Sequence, residues 1–415
     1  MQRGVWIFFT WMLWASGLTA QLQTIYIPPP DYIGTAECTV NDYPYKYAIA
    51  AMDEPVFVSF DDLYGDEKNY YYRIRRFDEN WHESQLLPQE YIDGFDSAMI
   101  EDEENSTATL QPYTHYSFRI PNENTRITKS GNYLIEILDE NEEPVFNFPV
   151  MIYERSVTVG VQVKIPTLPD KIHSHQLVHF RVNIQHFPIV DPYSELKVFV
   201  LKNENPYDVR IFEKPVFNNG SSLDYYYPEK ALFPGGAEFY SFETRNLRGY
   251  NRGLDSMRLH DFYEAYVTPY WPPAHYNDYK DIDGSYVVDS KHTDDAVLEA
   301  DYVLVHFRLP ADAVPEGKEV YVTGRFNQWR LEKKNRLRYN EKAGLYEVVI
   351  PLKQGYYDYY YVGKNSNGGI DWTAVIPSFF ETENRYTVLV YYRPAGARYS
   401  RLIGMGQAIS KPMSR

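Results

Sequence analysis

The chain has 415 residues, with 57 acidic and 41 basic side chains and a formal net charge of -16. This acidic balance offers no surface that would neutralise phosphate, which argues against nucleic acid as a partner. The same charge would repel an anionic membrane surface. Tyrosine is abundant, with 40 residues, and its ring suits both β-strands and contact surfaces.

The first twenty residues resemble a secretory signal peptide. Arg3 supplies a positive start, Val5 to Trp14 form a short apolar core, and cleavage is predicted after Ala20. A buried N-terminal helix is the less favoured alternative. Because no later stretch approaches the length of about 18 apolar residues that spans a bilayer, we expect no membrane insertion.

Cys38 is the only cysteine, so no internal disulfide can form. A secreted eukaryotic protein of this length would more often carry disulfides, so a bacterial envelope protein is favoured. A packed or idle thiol is a better interpretation of Cys38 than a reactive one.

The first predicted domain covers residues 41–154. Pro55 to Phe60, Tyr70 to Arg76 and Gly131 to Leu138 are typical of strands, and turn residues separate them. About seven strands at this spacing predict an immunoglobulin-like or fibronectin-like sandwich, with Trp81 packed on its core.

A central β-sandwich domain is predicted for residues 156–291. Apolar residues alternate from Val157 to Ile165, and Phe233-Pro-Gly-Gly236 is a sharp turn.

A third domain is predicted for residues 295–398, with strands at Asp301 to Leu309 and at Glu319 to Gly324. Like the first domain, it has a strand followed by Phe, Asn or Asp, and Trp. The predicted fold is therefore all-β, with tandem immunoglobulin-like and E-set β-sandwiches and few short helices.

No motif for catalysis is present. The chain lacks Gly-x-Ser-x-Gly, a glycine-rich phosphate loop and His-Glu-x-x-His. The two catalytic carboxylates of a glycoside hydrolase are brought together by the fold and not by their spacing in the sequence. A hydrolase therefore stays an open alternative at this point. We expect no enzyme, no cofactor and no small-molecule substrate.

Three further features have ordinary explanations. His173, His175, His179 and His186 lack a matching Cys, Asp or Glu for a metal site, so surface histidines are favoured. The acidic run from Glu101 to Glu104 is favoured as a solvated loop over a Ca²⁺ site. Asp96-Ser97-Ala98 matches a short periplasmic O-glycosylation pattern that is common by chance.

Trp329 and Trp372 are the candidate glycan-binding residues. Gly324-x-Phe-Asn-x-Trp329, a tyrosine-rich strand and Asp371-Trp372 resemble glycogen-binding E-set modules, in which an exposed indole stacks on a sugar ring. Those modules usually carry a sugar-bonding Lys where this chain has Tyr360. We therefore favour the alternative that both tryptophans cap a sandwich or meet another protein.

Five distinctive motifs occur in order along the chain. They are Trp81 to Phe95, Phe233-Pro-Gly-Gly236, Glu299-Ala-Asp-Tyr302, Leu352-Lys-Gln-Gly-Tyr-Tyr357 and Glu381 to Gly404. Through them the chain as a whole, from Val40 to Gly404, resembles the type IX secretion system Plug protein family. The resemblance implies a periplasmic protein of Gram-negative Bacteroidota. Its partner would be the outer-membrane translocon β-barrel, whose pore it closes from the periplasmic mouth when no substrate passes. The resemblance implies no catalysis and identifies no contact residue.

Overall fold

The computed structural model of the protein describes residues 22, 24–40 and 48–410. Regular structure in these residues is almost entirely β-strand, and the sheets pack in pairs, so the predicted all-β class with tandem sandwiches is confirmed. The predicted signal peptide and the predicted start of the first domain at residue 41 lie outside the described residues.

The first sandwich contains eleven strands. One sheet has the order β1-β3-β8-β7, the other has the order β2-β11-β10-β4-β6, and β5 pairs with β9. Alternation along β3 turns Val56, Val58 and Phe60 into the core between the sheets. The strands are β1 (Ile33–Val40), β2 (Ile49–Ala51), β3 (Val56–Asp62), β4 (Tyr71–Phe77), β5 (Ile92–Gly94), β6 (Ser97–Met99), β7 (Asp102–Asn105), β8 (Thr114–Ile120), β9 (Thr125–Ile127), β10 (Gly131–Leu138) and β11 (Pro144–Tyr153).

The next seven strands and one short helix begin a second sandwich, in which β13 pairs with β12, β17 and β18. The elements are β12 (Thr158–Lys164), β13 (His175–Asn183), α1 (Pro192–Glu195), β14 (Leu196–Lys202), β15 (Val209–Phe212), β16 (Phe217–Asn218), β17 (Ser222–Tyr225) and β18 (Leu232–Pro234).

The following ten strands and a second short helix form the third sandwich. One sheet has the order β20-β21-β23-β26-β25, and the other is built around β27. The elements are β19 (Tyr240–Glu243), β20 (Leu254–Leu259), β21 (Tyr263–Val267), β22 (Tyr286–Val288), α2 (Ala296–Glu299), β23 (Tyr302–Pro310), β24 (Glu319–Thr323), β25 (Arg338–Asn340), β26 (Leu345–Lys353), β27 (Gly355–Lys364) and β28 (Ile370–Asp371).

The last two strands return to the second sandwich. They are β29 (Arg385–Tyr392) and β30 (Arg401–Ile409), and they complete a sheet of order β15-β14-β29-β30. β14 pairs with β29 along its whole length, from Leu196 with Tyr392 to Lys202 with Tyr386. The third sandwich is therefore inserted between two parts of the second.

This pairing divides the chain differently from the predicted intervals 156–291 and 295–398. β19 to β22 belong to the third sandwich, and β29, which ends at Tyr392, belongs to the second. The prediction assumed that each domain is one continuous stretch of chain. A strand pattern carries no information about which distant strand completes its sheet, because pairing partners are set by the fold.

Three buried clusters form the cores of the three sandwiches, and a fourth lies where the first and second sandwiches meet. We call this fourth cluster the apolar junction. From the first sandwich it takes Phe77, Trp81 and Leu134, and from the second it takes Phe199 and Tyr391, among others. The first two sandwiches are thus joined by a continuous apolar core.

Candidate functional site

Trp329 is buried in the third sandwich, with 3% of its surface exposed. It follows β24 through a turn that Asn327 holds, because the Oδ1 of Asn327 accepts from the N–H of Gly324 at 3.1 Å. Its ring lies 5.6 Å from that of Phe239, centroid to centroid. A buried indole has no face to offer a sugar ring, so the geometry favours a capping role for Trp329.

The environment of Tyr360 supports the same conclusion. Its ring stacks on Phe239 at 3.8 Å between centroids, and its hydroxyl donates to the carbonyl of Ala237. The residue at the place of the sugar-bonding lysine is therefore buried and serves packing between chain segments.

Trp372 is only partly buried and meets Trp329 edge-on, with 6.4 Å between ring centroids. Both line a cleft of about 260 Å³ between the second and third sandwiches. The polar groups of this cleft include the Lys202 ammonium, which donates to the carbonyls of Pro234 at 2.6 Å and Gly235 at 2.7 Å. Burial lowers the pKa of Lys202 to about 8. Lys202 thus anchors the segment that enters the third sandwich.

The first and third sandwiches meet through a second contact region, which we call the polar junction. At its centre the Lys353 ammonium lies 2.7 Å from Oδ2 of Asp61, and the two side chains are 2% and 0% exposed. The hydroxyl of Tyr302 donates to Asp61 at 2.6 Å. Nδ1 of His115 lies 2.7 Å from the other oxygen of the same carboxylate. Asp61 is thereby bonded through both oxygens.

The charges of this pair influence each other's protonation. Burial acts to raise the pKa of Asp61, but Lys353 and His115 outweigh it, and the net pKa is lowered. Burial lowers the pKa of Lys353, and Asp61 opposes that shift. We therefore describe the pair as an ion pair inside the protein.

Further polar contacts surround the ion pair. Lys353 also donates to the carbonyl of Val297 at 2.6 Å and lies 4.0 Å from the ring centroid of Tyr113. The N–H of Leu110 donates to Asp301 at 2.6 Å. Side chains and backbone of the first sandwich thus reach the third mainly through hydrogen bonds.

A cavity of about 400 Å³ lies in the same region, between β1, β26 and the segment of residues 24–32. This N-terminal segment reaches the third sandwich through Tyr26, whose hydroxyl donates to Gln328 and whose ring lies 4.0 Å from the Arg330 guanidinium. Lys334 donates to the carbonyl of Pro29 at 3.0 Å. The segment therefore bridges the polar junction beside the cavity.

Two carboxylates, those of the buried Asp358 and the partly buried Asp281, hold a turn near Trp329. Oδ2 of Asp358 accepts from the N–H groups of Ile282 at 2.6 Å and Gly284 at 3.2 Å. Asp281 accepts from the N–H of Phe239 at 2.6 Å. Burial raises the pKa of Asp281 to about 7 and that of Asp358 to about 8, and their mutual repulsion contributes to the latter. The pair has a structural role, since its oxygens cap backbone N–H groups.

The remaining candidates lie apart from these regions. His179 lies beside Lys164 and Asp224, and burial lowers the pKa of His175 and of His179. In the described part of the chain, no group of three His, Cys, Asp or Glu side chains is placed to hold a metal ion. The acidic run lies largely in β7, an exposed edge strand whose charges oppose strand addition. Cys38 is a free, partly buried thiol whose pKa burial raises.

The sequence analysis missed the ion pair of Asp61 and Lys353. Both residues lie at strand ends, in Phe60-Asp61-Asp62 and Leu352-Lys353-Gln354, and nothing local marks them as buried. The only available indication was that Lys353 falls within one of the motifs that carry the family resemblance. No helix among the described residues is long and apolar enough to cross a membrane.

Comparison with known proteins finds a family match for the first sandwich. Residues 33–154 match the model of the type 9 secretion system plug protein, first domain. The match supports the plug family and suggests a role related to type IX secretion. No curated protein matches the chain.

The fold of nearly the whole chain has a solved counterpart. The crystal structure of a hypothetical protein from Parabacteroides merdae is 28% identical and aligns with a TM-score of 0.88. The alignment covers 92% of this chain and 98% of that one. A partial N-terminal region of an enterococcal surface protein covers 94% of this chain and 96% of its own at 6% identity, but its TM-score of 0.19 supports no likeness of fold.

Proposed function

We propose that the protein is a periplasmic plug of the type IX secretion system. It binds the periplasmic mouth of the outer-membrane translocon β-barrel and closes the pore when no substrate passes. The observation that carries the proposal is the match of residues 33–154 to the plug protein's first domain, the segment that contains the first sandwich. The outer-membrane β-barrel is the proposed partner, and we propose no enzymatic activity.

The dimensions of the sandwiches suit such a role. A sandwich of roughly 120 residues has a radius of gyration near 14 Å, hence a body about 35 Å across. A folded body of this size blocks a wide pore better than a flexible peptide. The apolar junction joins two such bodies into a larger unit.

The proposal is tested by affinity purification from outer membranes with a tagged copy of the protein. We expect to recover a β-barrel protein of very large mass, whereas a tagged periplasmic sandwich of unrelated sequence recovers none. A deletion strain should admit large antibiotics that the intact outer membrane excludes, and the intact gene should restore exclusion. Absence of an outer-membrane partner, together with normal secretion and permeability in the deletion strain, would contradict the proposal.

Glycan binding through Trp329 and Trp372 has less support, because Trp329 is buried and the lysine is replaced by Tyr360. Affinity electrophoresis in glycogen or starch gels distinguishes the two functions. We expect unretarded migration, identical for the wild type and for Trp372→Ala. Retardation that Trp372→Ala abolishes would favour the glycan-binding function.

A further inference from the structure

The third sandwich is attached to the second by two neighbouring crossings of the chain. The chain enters through residues 234–237 and leaves through residues 377–384. The carbonyl of Gly236 accepts from the N–H of Phe379 at 2.8 Å and from the hydroxyl of Thr382 at 2.7 Å. Hinges between rigid bodies are formed by a few loop or element-terminal residues, and both crossings consist of such residues.

The core of the third sandwich is separate from that of the first. Among the described residues, no buried apolar cluster combines residues of both. Across the polar junction, the rings of Tyr113 and Tyr302 meet edge-on with 5.6 Å between their centroids. The junction also contains the cavity of about 400 Å³, so packing there is incomplete. Separating the two sandwiches would uncover the rings of Tyr113 and Tyr302 but would divide no shared apolar cluster, whereas opening the apolar junction would divide one.

The ion pair of Asp61 and Lys353 favours release for a second reason. Two buried charges lose hydration that their attraction only partly replaces, so a buried ion pair adds little net stability to a contact. When the sandwiches separate together, both charges regain water. Removal of one partner alone would destabilise the closed state further, because it leaves the other charge buried without its partner. A contact of this kind is specific in the closed state and requires little free energy to open.

We propose that the third sandwich is a movable unit. It opens from the first sandwich at the polar junction by rotation about the crossings at residues 234–237 and 377–384. The first and second sandwiches remain one body throughout, held by the apolar junction. This conformational change belongs to the isolated protein and does not depend on the proposed secretion role.

Native-state hydrogen exchange, read by mass spectrometry on the purified full chain, tests the proposal. Two backbone amides serve as reporters. The N–H of Leu110 donates across the polar junction to Asp301 at 2.6 Å. The N–H of Glu154 donates across the apolar junction to Leu402 at 2.8 Å. We expect the Leu110 peptide to exchange about 100-fold faster or more than the Glu154 peptide, with weaker denaturant dependence, as in sub-global opening.

A disulfide lock gives the matched control. The N–H of Thr107 donates to the carbonyl of Leu298 at 3.0 Å across the polar junction, so the two backbones are in contact. Thr107→Cys with Leu298→Cys, in a Cys38→Ser background, should form a bridge that slows exchange at Leu110 about tenfold or more. Exchange at Glu154 should not change, and reduction of the bridge should restore fast exchange at Leu110.

Two results would overturn the proposal. One is equal exchange free energy and equal denaturant dependence at Leu110 and Glu154, which would make the three sandwiches one cooperative unit. The other is an oxidised lock that leaves exchange at Leu110 unchanged. If the cysteines fail to pair, Lys353→Met supplies a second variant, because it leaves the Asp61 carboxylate without its partner in the closed state. It should speed hydrogen exchange at Leu110 and leave exchange at Glu154 unchanged.

Discussion

The two junctions of the first sandwich join it to its neighbours by different chemistry. Toward the second sandwich, large apolar side chains such as Trp81, Phe199 and Tyr391 form one buried cluster. Toward the third, the centre is the ion pair of Asp61 and Lys353, with a cavity beside it. Apolar burial stabilises a contact in proportion to area, whereas a buried ion pair mainly makes it specific. The chemistry of the apolar junction suits a permanent contact, and that of the polar junction suits a contact that opens.

Trp81→Ala should have the largest effect, because it removes a buried indole from the apolar junction. Trp81 is 5% exposed, and we expect a loss of about 3–5 kcal/mol in the free energy of unfolding. Urea denaturation followed by circular dichroism measures it. Trp271→Ala is the matched control: this indole is 61% exposed, so its truncation should change stability by less than about 0.5 kcal/mol. Equal losses of unfolding free energy for the two variants would contradict the conclusion that the apolar junction is a permanent contact.

Lys353→Met should cost about 3 kcal/mol, because it leaves the Asp61 carboxylate buried without its partner. The loss should be smaller than for Trp81→Ala, since opening of the polar junction lets water reach Asp61. Lys342→Met, at an exposed lysine in the turn between β25 and β26, is the control and should change little. Adding Asp61→Asn to Lys353→Met should recover part of the loss in the same urea assay. A double variant as unstable as the sum of the singles would contradict the coupling.

The predicted pH dependence belongs to the third sandwich. Asp281 and Asp358 have folded pKa values raised to about 7 and about 8, so their contribution to stability is full below the unfolded carboxyl pKa of about 4 and is lost progressively until pH exceeds the folded values. Between pH 6.5 and 8 we expect stability to fall by about 1 kcal/mol per pH unit. Burial lowers the pKa of His175 and of His179, so these histidines make stability rise with pH. They do so below about pH 6.5, outside the range in which the fall is expected.

Asp358→Asn should reduce that slope, because the amide oxygen still accepts from Ile282 and Gly284 but does not ionise. Part of the slope should remain, since burial also raises the pKa of Asp281 and of Glu238 to about 7. Urea midpoints at several pH values measure the slope. Asp53→Asn, at an exposed carboxylate paired with Arg155, is the control and should leave it intact. An unchanged slope in Asp358→Asn would assign the pH dependence to other groups.

Local sequence pattern predicted the strands well but not their assembly. The predicted strands Tyr70 to Arg76 and Gly131 to Leu138 correspond closely to β4 and β10, because alternation is a property of a few adjacent residues. The division of the chain was not predictable in the same way, since β14 completes its sheet with β29 from beyond an inserted sandwich.

The candidate site was predictable only in part, for a related reason. The turn that ends in Trp329 follows its strand as expected, but Phe239 and Gly284, which lie against the indole, come from distant segments of the chain. Burial of Trp329 therefore depends on contacts that spacing does not encode. The same holds for Asp61, whose partner Lys353 lies in another sandwich.

Tyr26→Phe should have the smallest effect and the most local one. It removes the hydroxyl that donates to Gln328 while keeping the ring against Arg330, so we expect a loss of about 1 kcal/mol. Because the N-terminal segment bridges the polar junction, the loss should show as faster hydrogen exchange at Leu110 and not at Glu154. Tyr64→Phe, at a ring that is 66% exposed, should change neither. Faster exchange at both Leu110 and Glu154 in Tyr26→Phe would mean that the N-terminal segment stabilises the whole molecule. The apolar and polar junctions would then not open independently.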